Sequence, residues 1–584
     1  MKYDSSKRDL FRIVAGQKRE QLLRNTGRQE IFDRFWKSIQ SQDDLLTLGH
    51  GKEESVFISQ GERESHVHIL GDPGSGKSKL LEMMMRRDVD RLHEEALAKV
   101  NPKEGRACGF CFLDPSDDGG TMRKVLAYCA EIGFENVLVI DPLWYPRYKK
   151  LSVINPFSRY ETHWEMSINH LLDAFQVTFE IEDQSKTSYI NTYLSALFGL
   201  CQFANLTLAD LVCFSVPPDK QSKKDTEKSD ESHLRKFDRM RQSIYMLAHR
   251  RINAEDFPGE WRTVGKKYLA EIMSAYANIP SFVREAGSSA RRLNVITGSP
   301  KMLHLFGHRK GVNFDRLISE GWIILANVSQ GRDFGPLSAR LLGTVITNQV
   351  ISAIKRLRQH GFNKPYYLYI DEAAHYTTYT LADVLEHKRQ IGLRTVLAHQ
   401  HLGQLDNLQI RRAIESCTDI KCSFYISSPK NRREVMDMLG YGGELSPAEV
   451  AYNLSSQPKQ DMVVKLSRQK PKVITAPTIP DSSADPWAYS DALSEDGHYL
   501  TFSDIAKDAK ERLNVGKDSV RPERAAKPDN RANNRPAPSK VRHRAKDTSK
   551  DARPKADNPN TDAQPNVAWE GLFLENSGDK GQAD

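Results

Sequence analysis

Residues 66–92 read HVHILGDPGSGKSKLLEMMMRRDVDRL, and their pattern decides the fold. HVHIL is a short apolar run suited to a buried strand, and KLLEMMMRRDVDRL has helical periodicity. Between them GDPGSGKS, Gly71 to Ser78, fits G-x-x-x-x-G-K-[ST]. A strand turning through glycines into a helix is the context that separates a phosphate-binding loop from a chance glycine turn. Gly71, Gly74 and Gly76 let the backbone curl until several N–H groups point at one anion. The helix opening near Lys77 adds its positive end. The expected cradle for ATP is therefore Gly71, Asp72, Pro73, Gly74, Ser75, Gly76, Lys77, Ser78 and Lys79. Within it Lys77 reaches the β- and γ-phosphates and the Ser78 hydroxyl ligates Mg2+.

Moving outward, GFCFLD, the helical TMRKVLAYCAEIGF and ENVLVID continue an alternation of apolar runs and amphipathic stretches, the mark of a parallel α/β sheet. After Asn155-Pro156 the texture changes, and from about Thr162 to Phe306 only helical periodicity is found. The alternation resumes with WIILANV, the long LSARLLGTVITNQVISAIKRL, YYLYIDE, TVLAHQ and DIKCSFYI, to about Leu466. The expected organisation is a helical lead at 1–65 with an apolar stripe of Ile31, Phe32, Phe35, Trp36 and Ile39. A nucleotide-binding α/β domain at 66–160 and 311–470 follows, interrupted by an all-helical domain at 161–310. PPDKQSKKDTEKSDES, within that insertion, reads as a solvated loop. Residues 471–584 are rich in Pro, Asp, Asn, Lys and Arg and read as a disordered basic tail. Its apolar island at 566–576, with Trp569, Leu572, Phe573 and Leu574, is a candidate docking peptide.

Hydrolysis also needs carboxylates. YYLYIDEAAH, Tyr366 to His375, ends an apolar strand in Asp371 and Glu372, at the sheet edge where ligands of α/β proteins bind. Asp371 is expected to hold Mg2+ directly or through water, and Glu372 to polarise the attacking water. TVLAHQ follows by one crossover, so Gln400 falls at the end of a neighbouring strand, placed to sense the γ-phosphate or the lytic water. His399 and His401 have no metal-ligand spacing around them and read as structural. Asp114 and Asp141 end apolar strands on the same edge, where capping or Asp-Pro turns explain them equally well. A cation must stabilise the transition state, commonly an arginine from a neighbouring subunit. Arg411 and Arg412 are the first choice, followed by Arg432 and Arg433.

Composition excludes several classes. At 584 residues, 39% hydrophobic and 27% charged, with a net charge of +8, the chain does not read as a disordered protein. The net charge suits a polyanionic partner without specifying one. Seven cysteines without regular spacing are no disulfide framework. Cys108 and Cys111, three apart on a strand, would point to opposite faces and read as buried thiols. The opening MKYDSSKRDLFRIVAGQKRE is charged throughout, and no window reaches the apolar length of a membrane span. The expected location is cytoplasmic.

In this order, GDPGSGKS, FLDPSDD, VLVIDP, INPF, the helical insertion, WIILANVSQG, LYIDEAA and VLAHQHLGQL resemble the DNA-motor ATPases of type IV secretion. These are the coupling proteins of the TraG/TraD group, within the wider HerA/FtsK class, and the likeness runs from about His66 to Leu466. It implies a RecA-like P-loop domain, a hexameric ring of identical subunits, DNA in a central channel and hydrolysis at subunit interfaces. By matching, Lys77 and Ser78 are its nucleotide-loop residues, Asp371 and Glu372 its acidic pair, and Gln400 its sensor. A relaxase or accessory protein is the implied partner of the tail. Members usually carry N-terminal membrane helices, which this sequence lacks, so a separate anchor at the inner face of the membrane is expected for a secretion role. A HerA-like helicase or translocase in DNA processing, or an ATP-switched scaffold that does not move DNA, are the alternatives. DEAAH departs by one residue from the acidic box of superfamily 2 helicases, which ranks that reading last.

Overall fold

The computed structural model describes residues 45–514, apart from 52–54, 102–104, 106, 117–118, 145–149, 158–163, 181–183, 219–230, 332, 388–390, 406, 440–446, 457, 468 and 495–497. Runs such as VHIL, FCFLD and YYLYI have no polar alternation, so both of their faces must be covered, as only the interior of a layered α/β sheet allows. The strands are β1 (Leu45–His50), β2 (Ser55–Ser59), β3 (Val67–Leu70), β4 (Phe110–Asp114), β5 (Val137–Ile140), β6 (Lys150–Ser152), β7 (Ile323–Asn327), β8 (Tyr366–Ile370), β9 (Leu393–His399), β10 (Ile420–Ser423), β11 (Asp461–Leu466), β12 (Lys472–Thr475) and β13 (Tyr499–Thr501). Eleven form one sheet in the order β2-β1-β12-β11-β10-β3-β9-β8-β4-β7-β5, and β13 pairs with β6 apart from it. From β10 to β5 all neighbours are parallel, whereas β11, β12, β1 and β2 extend the edge antiparallel. Every residue of β3, β4, β5, β7, β8 and β9 is buried. The fold is α/β, with the RecA-like arrangement of parallel strands around a phosphate-loop strand.

Besides the single helical turn Gln60–Arg63, the helices are α1 (Lys77–Leu97), α2 (Gly120–Ile132), α3 (Trp164–Thr178), α4 (Gln184–Phe203), α5 (Glu231–Ile252), α6 (Gly259–Ala275), α7 (Ile279–Glu285), α8 (Gly287–Thr297), α9 (Pro300–Leu305), α10 (Phe314–Ser319), α11 (Pro336–Gln359), α12 (Tyr379–Glu386), α13 (Leu408–Cys417), α14 (Pro429–Leu439), α15 (Pro447–Ser456), α16 (Pro486–Leu493) and α17 (Phe502–Asn514). On one face of the sheet Ile69, Phe112, Val139 and Tyr369 pack with Met83, Met84 and Met85 of α1 and Val125 and Leu126 of α2. On the other, Leu113, Ile324, Leu368 and Leu397 join a core that runs without a break through α11 into Trp164, Phe175, Leu197 and Leu293 of the helical segment. From Trp164 to Leu305 the described residues form only helices. That segment shares most of its core with the sheet; Ala209, Val212 and Leu303 form a small separate cluster against α5 and α17. Asn348 of α11 donates to the His170 carbonyl of α3 at 2.7 Å, and the Asp173 carboxylate of α3 accepts the Tyr379 and Thr380 N–H groups of α12 at 3.1 and 2.8 Å.

Two expectations are corrected. Residues 45–50 and 55–59, expected within a helical lead, are the antiparallel pair β1 and β2. In SVFIS the buried positions alternate with half-buried ones, a period of two that no helix satisfies. The chain beyond 471, expected to lack any core, is folded as far as Asn514. β12 joins the sheet. Tyr489 and Leu493 of α16 bury in the α1/α2 core, and the Trp487 ring packs against that of Trp144, tilted by 44° with centroids 4.1 Å apart. In α17, Ile505 and Ala509 are fully buried, and Arg512 lies between Asp508 and Asp210, 2.9 Å from the latter. A few apolar residues at helical spacing, plus buried ion pairs, suffice here. Averaged over 471–584 they vanish into the polar composition. Residues 515–584, with the 566–576 island, lie outside the described residues, as do Ile31–Ile39 and most of PPDKQSKKDTEKSDES.

Among the described residues one helix, α11, is long and apolar enough to cross a membrane, and 89% of that window is buried inside the protein. It is the core helix between sheet and helical segment. No disulfide joins any of the seven cysteines. Burial pushes the Cys108 thiol up to about 11 and that of Cys111 higher still, as inert interior thiols should behave.

Candidate functional site

The loop after β3 curls because its glycines take backbone angles that other residues avoid. Gly71 has φ +155° and Gly76 +128°. A Cβ on Gly71 would stand 2.7 Å from Phe424 Cβ and from Ser75 Oγ, so only glycine fits against the end of β10. The loop is buttressed from behind. Asp72 N–H donates to the Tyr425 carbonyl at 2.9 Å, the Asp72 carboxylate accepts Ser427 N–H at 2.8 Å, and Gln460 N–H donates to the Ser75 carbonyl at 3.1 Å. Pro73 and Gly74 at the crown are exposed. Lys77, buried at the start of α1, donates to the carbonyls of Gly71 at 2.6 Å and Asp72 at 3.2 Å. Burial pulls its pKa down, opposed by the charges of Asp371, Glu372 and Asp72.

The acidic pair lies opposite. Ser78 Oγ donates to Asp371 Oδ2 at 2.9 Å, joining residues 293 positions apart. Burial pushes the Asp371 carboxyl up to about 6, with the charges of Asp114 and Glu372 adding and the Ser78 hydroxyl and Lys77 opposing. Glu372 has φ +46°, a left-handed backbone for a residue with a Cβ. Its Oε1 accepts Gln400 Nε2–H at 3.1 Å, while its Oε2 is buried without a hydrogen-bond partner. β9 lies between β3 and β8 in the sheet, so Gln400 stands between the phosphate loop and the acidic pair. Lys77, Ser78, Asp371, Glu372 and Gln400 therefore meet at one end of three adjacent strands.

Other expected residues sit differently. The Lys79 ammonium is held by Glu82 at 2.9 Å and Asp481 at 3.2 Å, so its side chain faces the segment leading into α16 and not the loop. Arg411 is paired within the chain to Glu415 at 2.8 Å and Glu434 at 3.1 Å. Arg412 is exposed and makes no ion pair among the described residues. Arg432 donates to the Ile426 carbonyl at 3.4 Å, and Arg433 is exposed. Asp114 caps: it accepts Ser116 N–H at 3.0 Å and Met122 N–H at 2.6 Å. Asp141 Oδ1 accepts Leu143 N–H at 2.9 Å and Asn327 Nδ2–H at 3.0 Å. Nothing in the sequence pointed to Phe424 and Gln460, which back the loop from just beyond the end of β10 and just before the start of β11.

The donor set suits a magnesium nucleotide. Ser78 and Asp371 place two hard oxygens together, and Mg2+ is bound through one or two protein oxygens, with phosphate and water completing its shell. Among the described residues no group of three or more His, Cys, Asp or Glu side chains could form a metal cage. A crown open above a glycine turn, with buried Ser75 Oγ and Glu372 Oε2 left without partners, suits an oxygen-rich ligand and its water.

A phosphate loop, an acidic pair and a strand between them define the class of P-loop nucleotide-binding folds. No family model matches the sequence, and no curated protein matches it. Among solved structures, the chain is similar to the bacterial conjugative coupling protein TrwBdeltaN70 in its unbound monoclinic form, 16% identical over 76% of this chain and 90% of that one, TM-score 0.47. It is also similar to the plasmid coupling protein TrwB in complex with ADP and Mg2+, 16% identical over 74% and 89%, TM-score 0.45. A third is VirB4 of Thermoanaerobacter pseudethanolicus, 12% identical over 75% and 98%, TM-score 0.40.

Proposed function

We propose that this protein is an ATPase whose turnover moves DNA, working as a ring of identical subunits. The observation that carries the hydrolytic half is the convergence of Ser78 Oγ on Asp371 at 2.9 Å with Glu372 held by Gln400 at 3.1 Å. Lys77, now on the loop carbonyls, turns toward the β- and γ-phosphates when they fill the crown. Ser78 and Asp371 would hold Mg2+, which supplies charge neutralisation at the phosphate oxygens. Glu372 Oε2, free of any partner, takes the proton of the attacking water. Gln400 keeps the other carboxylate oxygen in place. The exposed Arg412 is better placed than the internally paired Arg411 to reach a neighbouring subunit's nucleotide.

The DNA half rests on the motif order from His66 to Leu466 and on the net charge of +8. Backbone phosphates, which a basic channel can grip without reading sequence, are the natural contact. The experiment measures ATP turnover with and without DNA, alongside the mass of the protein with and without nucleotide. A motor gives DNA-stimulated turnover that is lost in Lys77→Ala and Glu372→Gln, salt-sensitive DNA binding, and a ring-sized assembly. Slow turnover indifferent to DNA would instead make it a nucleotide-switched scaffold.

A further inference from the structure

His68 on β3 and His399 on β9 form a hydrogen-bonded pair inside the sheet, and the reaction as described makes no use of it. Both rings are fully buried, and their Nε2 atoms stand 2.7 Å apart. The centroids are 4.9 Å apart with 23° between the ring planes. That separation exceeds the nitrogen distance by about two imidazole radii, so the rings meet tip to tip, as a ring-to-ring hydrogen bond requires. The register puts them on one face: His68 is opposite Leu397, and His399 opposite Leu70.

The proton positions follow from the surroundings. His399 Nδ1 lies 3.0 Å from the His401 carbonyl, which can only accept, so Nδ1 carries the hydrogen. In a neutral ring Nε2 is then the acceptor, and His68 Nε2–H must donate to it. His68 Nδ1 is left without a hydrogen, in agreement with its being buried and without a partner. Both rings are held neutral: burial first, then the partner ring and Lys421, pulls His68 well down. Burial brings His399 to about 4, with His401, Lys77 and Arg411 adding and the His401 carbonyl opposing.

The pair links two parts of the candidate site. His68 lies three residues before Gly71, and His399 directly precedes Gln400. The His401 carbonyl belongs to the same turn, in which Gln400 N–H donates to Gln404 Oε1 at 3.0 Å. We infer that His68 and His399 are positioning residues: their ring-to-ring bond fixes the turn bearing Gln400 to the phosphate-loop strand, and so sets Gln400 against Glu372. This rests on the proposed ATPase reading.

The test compares His68→Leu, which deletes the donor, with His68→Gln, whose amide N–H reaches the position of Nε2. Steady-state ATP turnover is measured on full-length protein, with wild type and Lys77→Ala alongside. His68→Leu should lower kcat about tenfold, the worth of one hydrogen bond expressed in the transition state, with KM for ATP unchanged within about twofold. His68→Gln should restore most of it. In a Gln400→Ala background, His68→Leu should lower kcat no further, because both act through one contact. If His68→Leu does not fold, His68→Asn, too short to reach, takes its place. A folded deletion variant with wild-type kcat, or losses that multiply with Gln400→Ala, overturns the inference. Turnover that survives Lys77→Ala would instead overturn the ATPase reading, so the two failures are told apart.

Discussion

Glu372 stores strain that its proposed role as the base would justify, and removing it should stabilise the protein while silencing it. At φ +46° its Cβ crowds the backbone, which costs about 1–2 kcal/mol for an ordinary residue and much less for asparagine. Its charge also bears on the buried Asp371 carboxyl, which it helps to push up to about 6. Glu372→Gln removes the charge and keeps the strain; Glu372→Asn removes both. Urea unfolding of nucleotide-free protein should therefore rank Asn above Gln by about 1 kcal/mol, with Gln level with or above wild type. Both should lose about 100- to 10,000-fold in kcat, the usual worth of a general base. Nucleotide binding should persist in both, because Lys77, Ser78 and Asp371 are untouched. An Asn variant less stable than the Gln variant would refute the strain argument. A Gln variant within fivefold of wild-type kcat would refute the base assignment.

Asp141 is buried and its carboxyl is pushed up to about 6, chiefly by desolvation. A raised carboxyl pKa means the folded state holds a proton that the unfolded state has released, so its contribution to stability is largest at low pH and falls as pH rises from about 4 to 6. Asp141→Asn should flatten that slope, gaining about 2 kcal/mol on wild type between pH 4 and pH 7.5 in urea titrations. Arg63 is paired to Asp88 at 2.7 Å with both side chains buried. Asp88→Ala, which strands the guanidinium, should cost about 3–5 kcal/mol, and the double Arg63→Met/Asp88→Leu markedly less, by the same measurement. Gly71→Ala should abolish nucleotide binding in a fluorescent-nucleotide titration, since its Cβ would meet Phe424 Cβ at 2.7 Å. Adding Phe424→Ala should not restore it, because alanine keeps the Cβ that the new group meets and φ +155° remains forbidden to a residue with a Cβ.

The parts legible in the sequence were those whose cause is local. VHIL, FCFLD, VLVI and YYLYI read as strands because they are buried on both faces, and the spacing of Gly71, Gly76 and Lys77 carries the turn with it. Gln400 was placed by the length of one crossover. What stayed hidden depends on distant residues meeting. His68 and His399 are 331 positions apart, and nothing in either neighbourhood announces the other, although each lies near the end of a strand in the pair that flanks the loop. The same holds for Phe424 and Gln460. The folded stretch from Lys472 to Asn514 was lost for a different reason: it folds on burial of Tyr489, Leu493, Ile505 and Ala509, too few to register against the polar sequence after them.

These hidden contacts share a direction, for they tie distant segments to the two edges of the candidate site. Asp173, in the helical segment, caps α12 seven residues beyond Glu372. Asp481, in the folded stretch before α16, holds Lys79 one residue past Ser78. The exposed Lys79 pair contributes little on its own, but Asp173 is buried, and its carboxylate accepts two backbone N–H groups. Withdrawing it would leave those donors inside the protein without partners, a cost of about 1–3 kcal/mol each. A helical segment attached only by apolar contact could slide over the sheet with little effect on the acidic loop. Held through Asp173, and beside it through Asn348 on the His170 carbonyl and Arg340 between Glu180 and the His375 carbonyl, it cannot shift without straining the turn that carries Glu372, so a force on the segment would reach that carboxylate by short polar paths.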